Sequence, residues 1–174
     1  VNALSDKFSI TSIRSESSVN LIYKKGALIT KSENKIDSKD GTLVEFAPDS
    51  DIFKNYKFLY EYIENQVHYY VYLNAGLKIK FNNRLYSSKN GLFDLLEKET
   101  SKYKILYPIV HLKDVDIEFA LTHGNQYGEN YITFVNGQHT TQGGTHLSAL
   151  KEAIVKTARD FYKKDFEPSD IRAS

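Results

Sequence analysis

Apolar and polar residues alternate along residues 8–13 (Phe8, Ile10, Ile13) and again along 18–24 (Val19, Leu21, Tyr23), the pattern of half-buried strands. The intervening Arg14-Ser15-Glu16-Ser17-Ser18 reads as a polar turn. A further short strand is predicted over 27–30, after Gly26. Residues 31–40, rich in Lys, Ser, Asn and Asp, read as a surface loop. Gly41–Phe46 is again a strand, closed by Ala47-Pro48-Asp49, because proline has no amide hydrogen to give a ladder.

From Tyr56 to Tyr72 the spacing becomes helical, with Leu59, Ile63, Val67 and Tyr70 on one face. Asn74-Ala75-Gly76 is expected to stop that helix, glycine accepting a left-handed cap. Alternation returns over Leu77–Phe81. Residues 82–90 are polar and turn-like, and the domain boundary is placed there. A short helix is expected over 91–98, then strands over 105–112, 115–122 and 131–136. In the middle strand Val115, Ile117, Phe119 and Leu121 share one face, with Asp116, Glu118 and Ala120 on the other. Lys113-Asp114 and the loop from His123 to Asn130 suit antiparallel hairpins. The last helix is predicted over 145–163 with Thr145 as its N-cap. At roughly 100° per residue, Leu147, Leu150, Ile154, Thr157 and Phe161 gather on one side. Lys156, Arg159 and Lys163 gather on the other. This element order reads as α+β.

At 174 residues, with 41% hydrophobic and 26% charged residues, the chain has the profile of a soluble globular protein of one large or two small domains. It contains no apolar run long enough to cross a bilayer and no charged leader followed by an apolar stretch, so no membrane partner is expected. The absence of cysteine removes disulfides, thiolate chemistry and cysteine zinc sites, and fits a reducing cytoplasm. A net charge of only +1 means that any nucleic-acid contact must come from a local patch. Thirteen tyrosines and ten phenylalanines suit half-buried faces. The chain begins at Val1 and has no methionine, so it is expected to be an excerpt of a longer one.

The segment Phe134-Val135-Asn136-Gly137-Gln138-His139-Thr140-Thr141-Gln142-Gly143-Gly144-Thr145-His146 carries the strongest local signal. Amides and dipole at the start of a helix favour an anion there. The segment lacks the Gly-Lys-Ser/Thr ending of a P-loop, however, and a tight strand-to-helix turn needing two residues without side chains explains it as well. His111, His123, His139 and His146 show no helical i, i+4 pairing and no His-Glu-x-x-His, so they read as surface or loop histidines, and no metal site is predicted. No catalytic grouping is predicted either. Lys156, Arg159, Lys163 and Lys164 could neutralise phosphates, but Glu152, Asp160 and Asp165 dilute them. A solvated face is the default, and DNA contact would show as salt-sensitive binding.

Three ordered motifs together resemble the ATPase subunit of bacterial type IIA topoisomerases, the protein called gyrase B or topoisomerase IV B. Val1-Asn2-Ala3-Leu4-Ser5 resembles the helix that follows that family's ATP-lid glycines. Gly41-Thr42-Leu43-Val44-Glu45-Phe46-Ala47-Pro48-Asp49 is similar to its Gly-Thr-x-Val-x-Phe-x-Pro-Asp strand. The third is the strand–Asn–loop–Gly-Gly-Thr-His–helix segment, reinforced by Leu73-Asn74-Ala75-Gly76-Leu77 and by Pro168-Ser169-Asp170-Ile171-Arg172. Ala149 and Leu150 depart from the Gly-Phe common after Gly-Gly-Thr-His.

The resemblance implies that residues 1–86 are the rear of a Bergerat-type (GHKL) ATPase sandwich. Residues 87–174 would be the front of a transducer domain like domain 2 of ribosomal protein S5. It implies that Thr42 binds the adenine region of ATP, directly or through water, and that Val44 is an apolar wall of that pocket. The family's general-base Glu, magnesium-binding Asn, adenine-binding Asp and lid glycines would lie upstream of Val1, and its Gln-Thr-Lys loop downstream of Ser174. The chain alone is therefore expected neither to bind ATP and Mg2+ fully nor to turn ATP over. The implied partners are DNA, the topoisomerase's DNA-cleaving subunit, and a second copy of the ATPase subunit joined on ATP binding. The tyrosine-rich composition and the Gly137–Gln142 loop lean towards topoisomerase IV. Rival readings are a mismatch-repair or chaperone ATPase, against which the Gly-Gly-Thr-His helix argues, and a standalone S5-like nucleic-acid-binding module using Lys156, Arg159 and Lys163.

Overall fold

The computed structural model describes residues 1–125 and 127–167; the Pro168–Arg172 motif and Gln126 lie outside the described residues. The chain divides into two compact units, Val1–Phe58 and the part from Leu59 onwards. The α+β expectation holds: all the strand pairings among the described residues are antiparallel, and three helices lie between or after the hairpins.

In the first unit a short 3-10 helix, Asn2–Leu4, leads into β1 (Ser5–Arg14), β2 (Ser17–Lys24), β3 (Ala27–Lys35) and β4 (Gly41–Pro48), ordered β3-β2-β1-β4. The first polar turn was legible, although it is Ser15-Glu16 alone, with Arg14, Ser17 and Ser18 in the strands. Ser15 and Glu16, then Lys25 and Gly26, all take positive φ, giving two-residue connections whose twist matches that of the strands. β3 runs five residues beyond the expected strand, through a segment read as loop. Its register with β2 continues from Leu21↔Lys31 to Ser17↔Lys35. An edge strand needs only one backbone partner, and a charged sequence there discourages further pairing, so polarity alone did not exclude a strand.

In the second unit α1 spans Tyr60–Leu73, starting four residues later than expected. The rings of Tyr56 and Phe58 pack together at 5.8 Å, and Phe58 packs on Phe46 of β4 at 6.3 Å, which holds that stretch out of the helix. The buried stripe is Ile63, Val67 and Val71, so Leu59 and Tyr70 are exposed, contrary to expectation. β5 (Lys78–Phe81) and β6 (Arg84–Ser87) form a hairpin through Asn82 at φ +51°, where only a turn was expected after Phe81. Tyr86 of β6 packs into the core with Val67 and Val71. α2 (Leu92–Thr100) follows, then β7 (Val110–Lys113) paired with β8 (Glu118–Leu121).

β7 and β8 are shorter than predicted. The Asp114 amide closes the turn on the Ile117 carbonyl at 2.8 Å, leaving Val115 in the loop and 93% exposed. β9 (Phe134–Val135) and β10 (Gln138–His139) make a hairpin through Asn136 and Gly137, both at positive φ. The Asn-Gly pair was the signal for that second strand. α3 (Thr145–Tyr162) has Gly144, not Thr145, as its N-cap. Its buried side is rotated towards Val155. Thr157 is exposed and Phe161 78% exposed, correcting their placement on the inner face.

Candidate functional site

Thr42 and Val44 stand on β4, opposite Ser12 and Ile10 of β1. Residues two apart on a strand share a face. The register therefore puts Thr42, Val44 and Phe46 on the same side as Phe8, Ile10, Val19, Leu21 and Tyr23. The opposite side is largely polar, with Ser9 bonded to Glu45 and Asn20 donating to the Thr11 hydroxyl at 2.7 Å. Val44 is 48% and Phe46 47% exposed, so the apolar face is open. β4 is the last strand of its sheet, and its outer edge pairs with no strand among the described residues. The Thr42 hydroxyl likewise has no hydrogen-bond partner among them. Beyond Phe46 the face continues into a hollow of about 330 Å³ walled by Leu4, Phe46, Pro48, Phe53, Tyr56 and Phe58. An open hydroxyl beside an apolar wall can take the polar edge and flat face of a heteroaromatic ring.

The end of β4 is fastened to the start of the chain by contacts that sequence reasoning missed. Lys25 reaches the buried Asp49 at 3.0 Å and the exposed Asp51 at 2.8 Å. The Asp49 amide donates to the Leu4 carbonyl, and the Lys25 amide to that of Ser5. The Asp51 amide and then Lys25 hold the Asp49 carboxyl below its usual range, and both aspartates push the Lys25 ammonium up. The Pro-Asp ending of the β4 motif was the available signal.

A second polar cluster sits at the start of α2. Asp94 accepts from the Ser88 hydroxyl at 2.7 Å and from the Lys89 and Asn90 amides, while the Gly91 amide donates to Ser88 Oγ. Glu118 of β8 binds the Leu92 amide, His111 at 3.0 Å and Lys113 at 2.8 Å. Despite desolvation, these bonds hold both carboxyls below their usual range. Helix α2 is thus capped from within and from the neighbouring hairpin.

The histidines take separate places. His111 belongs to the Glu118 cluster, His123 packs edge-on against Tyr107, His139 packs beside Tyr69 and Phe134, and His146 Nε2 lies 3.4 Å from Thr140 Oγ1. Among the described residues no group of three His, Asp or Glu side chains is placed to hold a metal ion. The double glycine is a folded turn. A Cβ on Gly143 would lie 3.0 Å from the Leu147 side chain, and one on Gly144 3.0 Å from the His146 ring. Lys156 on α3 and Lys163 at its C-cap are exposed. Arg159 is engaged, its Nε donating to the Phe166 carbonyl, with Asp165 at 3.5 Å and Glu167 at 3.7 Å. No helix among the described residues is long and apolar enough to cross a membrane.

Known proteins resemble this chain in sequence and in fold. The DNA topoisomerase 4 B protein of Borreliella burgdorferi is 43% identical over 99% of this chain and 29% of its own length. The DNA gyrase B protein of Helicobacter pylori is 29% identical over 99% of this chain and 24% of its own. The chain thus spans about a quarter to a third of the curated relatives it matches. The 43K ATPase domain of Thermus thermophilus gyrase B, solved with an aminocoumarin, superposes with a TM-score of 0.78 at 24% identity, over 93% of this chain and 48% of that one. The topoisomerase IV ATP-binding domain of Francisella tularensis, solved with a small-molecule inhibitor, gives 0.74 at 20%, over 94% and 48%. Their likeness shows a shared fold. The profile for DNA gyrase B matches residues 76–172, more than half of the sequence. With end-to-end similarity to proteins of both kinds, the chain belongs to the DNA gyrase B family.

Proposed function

We propose that this chain is an internal part of a bacterial type IIA topoisomerase ATPase subunit, which couples ATP binding and hydrolysis to passage of one DNA duplex through another. The observation that carries this reading is the placement of Thr42 and Val44 two residues apart on an open apolar face, at a sheet edge that pairs with no strand among the described residues. Residues 1–86 form the rear of the ATPase domain, and residues 87–174 the front of the S5-like transducer. The Thr42 hydroxyl bonds the adenine region and Val44 walls it. Upstream chain completes the sandwich and supplies the base and the ligands for magnesium, which would neutralise phosphate charge. The partners are DNA, the DNA-cleaving subunit of the topoisomerase and a second copy of the ATPase subunit, in the cytoplasm. Lys156 and Lys163 are free to meet DNA phosphates; Arg159 is committed to its own chain. The 43% identity to a topoisomerase IV protein favours that enzyme over gyrase.

In the full-length subunit, Thr42→Ala is expected to raise the KM for ATP about tenfold, the scale of one lost polar contact. The ATP-driven relaxation of supercoiled DNA at limiting ATP falls in step. An unchanged KM would refute the assignment of Thr42. The 174-residue chain alone should show no turnover, because phosphoryl transfer needs metal, base and phosphate clamp placed together; turnover above blank by the purified chain refutes the division of the site.

A further inference from the structure

Three rings converge where α1 meets the β9–β10 hairpin. Tyr69 of α1 lies 5.1 Å from Phe134 and 5.3 Å from His139, centroid to centroid, and Phe134 lies 5.5 Å from His139. The ring planes meet at 68°, 45° and 42°, tilted geometries that ring quadrupoles favour over face-to-face stacking. Tyr69 is off the Ile63–Val67–Val71 stripe that anchors α1 to β5 and β6, so its contact serves the hairpin.

The hairpin is in turn locked to α3. Thr133 and Thr140 exchange hydroxyl-to-carbonyl bonds at 2.9 and 3.0 Å, and the Thr140 amide donates to the Thr133 carbonyl at 2.8 Å. Thr140 Oγ1 also faces His146 Nε2 in the first turn of α3. The Gly143 amide donates to the Thr140 carbonyl at 3.0 Å, and the two glycines leave room for His146 and Leu147 to fold back over the turn. A continuous line of packed and bonded groups therefore runs from α1 through the rings to the start of α3.

We propose that the Tyr69–Phe134–His139 cluster is a coupling joint, with Tyr69 its positioning residue, that makes α1 and α3 respond as one body. Its consequence rests on the function proposed above: α1 precedes the boundary at residue 86 and the hairpin and α3 follow it. The joint is then the place where the ATPase half grips the transducer. Loosening it leaves nucleotide chemistry intact and detaches it from strand passage.

Amide hydrogen exchange in this chain tests the joint directly. Tyr69→Leu is expected to raise exchange in β9, β10 and the first turn of α3 by about two- to tenfold, the factor of one aromatic pair. His139→Leu should do the same in α1, and the double variant should be no worse than either single one. Tyr69→Phe keeps the ring and should stay at the wild-type level. Changes confined to α1, or effects that multiply in the double variant, would overturn the joint. In the full-length protein with its DNA-cleaving partner, Tyr69→Leu should raise the ATP consumed per strand passage severalfold, with turnover preserved. Turnover and passage falling in equal proportion would overturn it. A full-length wild-type protein that turns over no ATP would sink the functional reading alone, because the exchange result judges the joint regardless.

Discussion

The two compact regions differ in what they bury. Residues Val1–Phe58 enclose Ser5, Ser9, Ser18 and Asp49, while the buried apolar side chains, Val67, Val71, Tyr86, Leu95 and Val155, all belong to the part from Leu59 onwards. The first sheet is not poor in apolar residues; it presents Phe8, Ile10, Leu21, Val44 and Phe46 on one face, and in that region Phe58 and the walls of the hollow pack only at the Phe46 end. A sheet face of that kind is half of an interface. The second region packs α1 on β5 and β6 and α2 on β8, and carries its own core. One region is built to receive something; the other is built to hold its shape.

Core truncation should break or confirm this contrast most strongly. Leu95→Ala removes a side chain that is 6% exposed and is expected to destabilise the second region by about 2–5 kcal/mol, read as a fall in the urea midpoint. Phe46→Ala removes a larger but half-exposed side chain, and is expected to cost clearly less, about 1 kcal/mol. Equal losses would mean that the first sheet buries its apolar face after all.

The glycine turn comes next in size. Gly144 sits at φ +148° with the His146 ring 3.0 Å from where a Cβ would stand. Gly144→Ala is therefore expected to cost about 1–3 kcal/mol, through backbone strain and displacement of the ring together. Thermal unfolding gives the magnitude. A neutral substitution would show that the turn relaxes freely and that His146 is not held there.

What the sequence made legible follows the same division. Strands β1, β2 and β4 were readable because each alternates apolar and polar residues against one exposed face, whereas the expectation for Thr42 and Val44 came from the resemblance of the Gly41–Asp49 segment and not from alternation. The elements that escaped were those whose signal is not hydrophobic. β3 continues through Lys31–Lys35 on backbone pairing alone, β6 follows a bend at Asn82, and β10 follows the Asn136-Gly137 turn. Rotational placement failed at α3 because an ideal 100° wheel marks Phe161 as inward, while the side chain buried in the fold is Val155. The Lys25–Asp49 clasp and the Asp94 and Glu118 caps join residues distant in sequence or hidden in polar runs, and no period announces them.

Acid titration should separate the two regions by the smallest of these margins. Burial, and then the charge of Lys98, hold the half-buried His68 below the ordinary value of 6.5, with Glu64 acting the other way and Arg84 adding to Lys98. Its ring lies between Tyr72, stacked at 6.1 Å, and Tyr86, edge-on at 5.0 Å, so a proton on it is unwelcome in the folded state. The unfolded chain binds that proton more readily. The stability tied to neutral His68 is therefore complete above pH 6.5 and is lost as pH falls from 6.5 through its lower folded value. The carboxyls of Asp94 and Glu118 act further down, below their ordinary 3.8 and 4.5. In the first region Asp49 is held below 3.8 and keeps its clasp over the range in which His68 titrates. Urea midpoints followed by amide spectra that resolve the regions, between about pH 7.5 and pH 5, should fall from Leu59 onwards and stay level in Val1–Phe58. His68→Gln should flatten the slope in the second region, and parallel slopes in both regions would remove His68 as its cause.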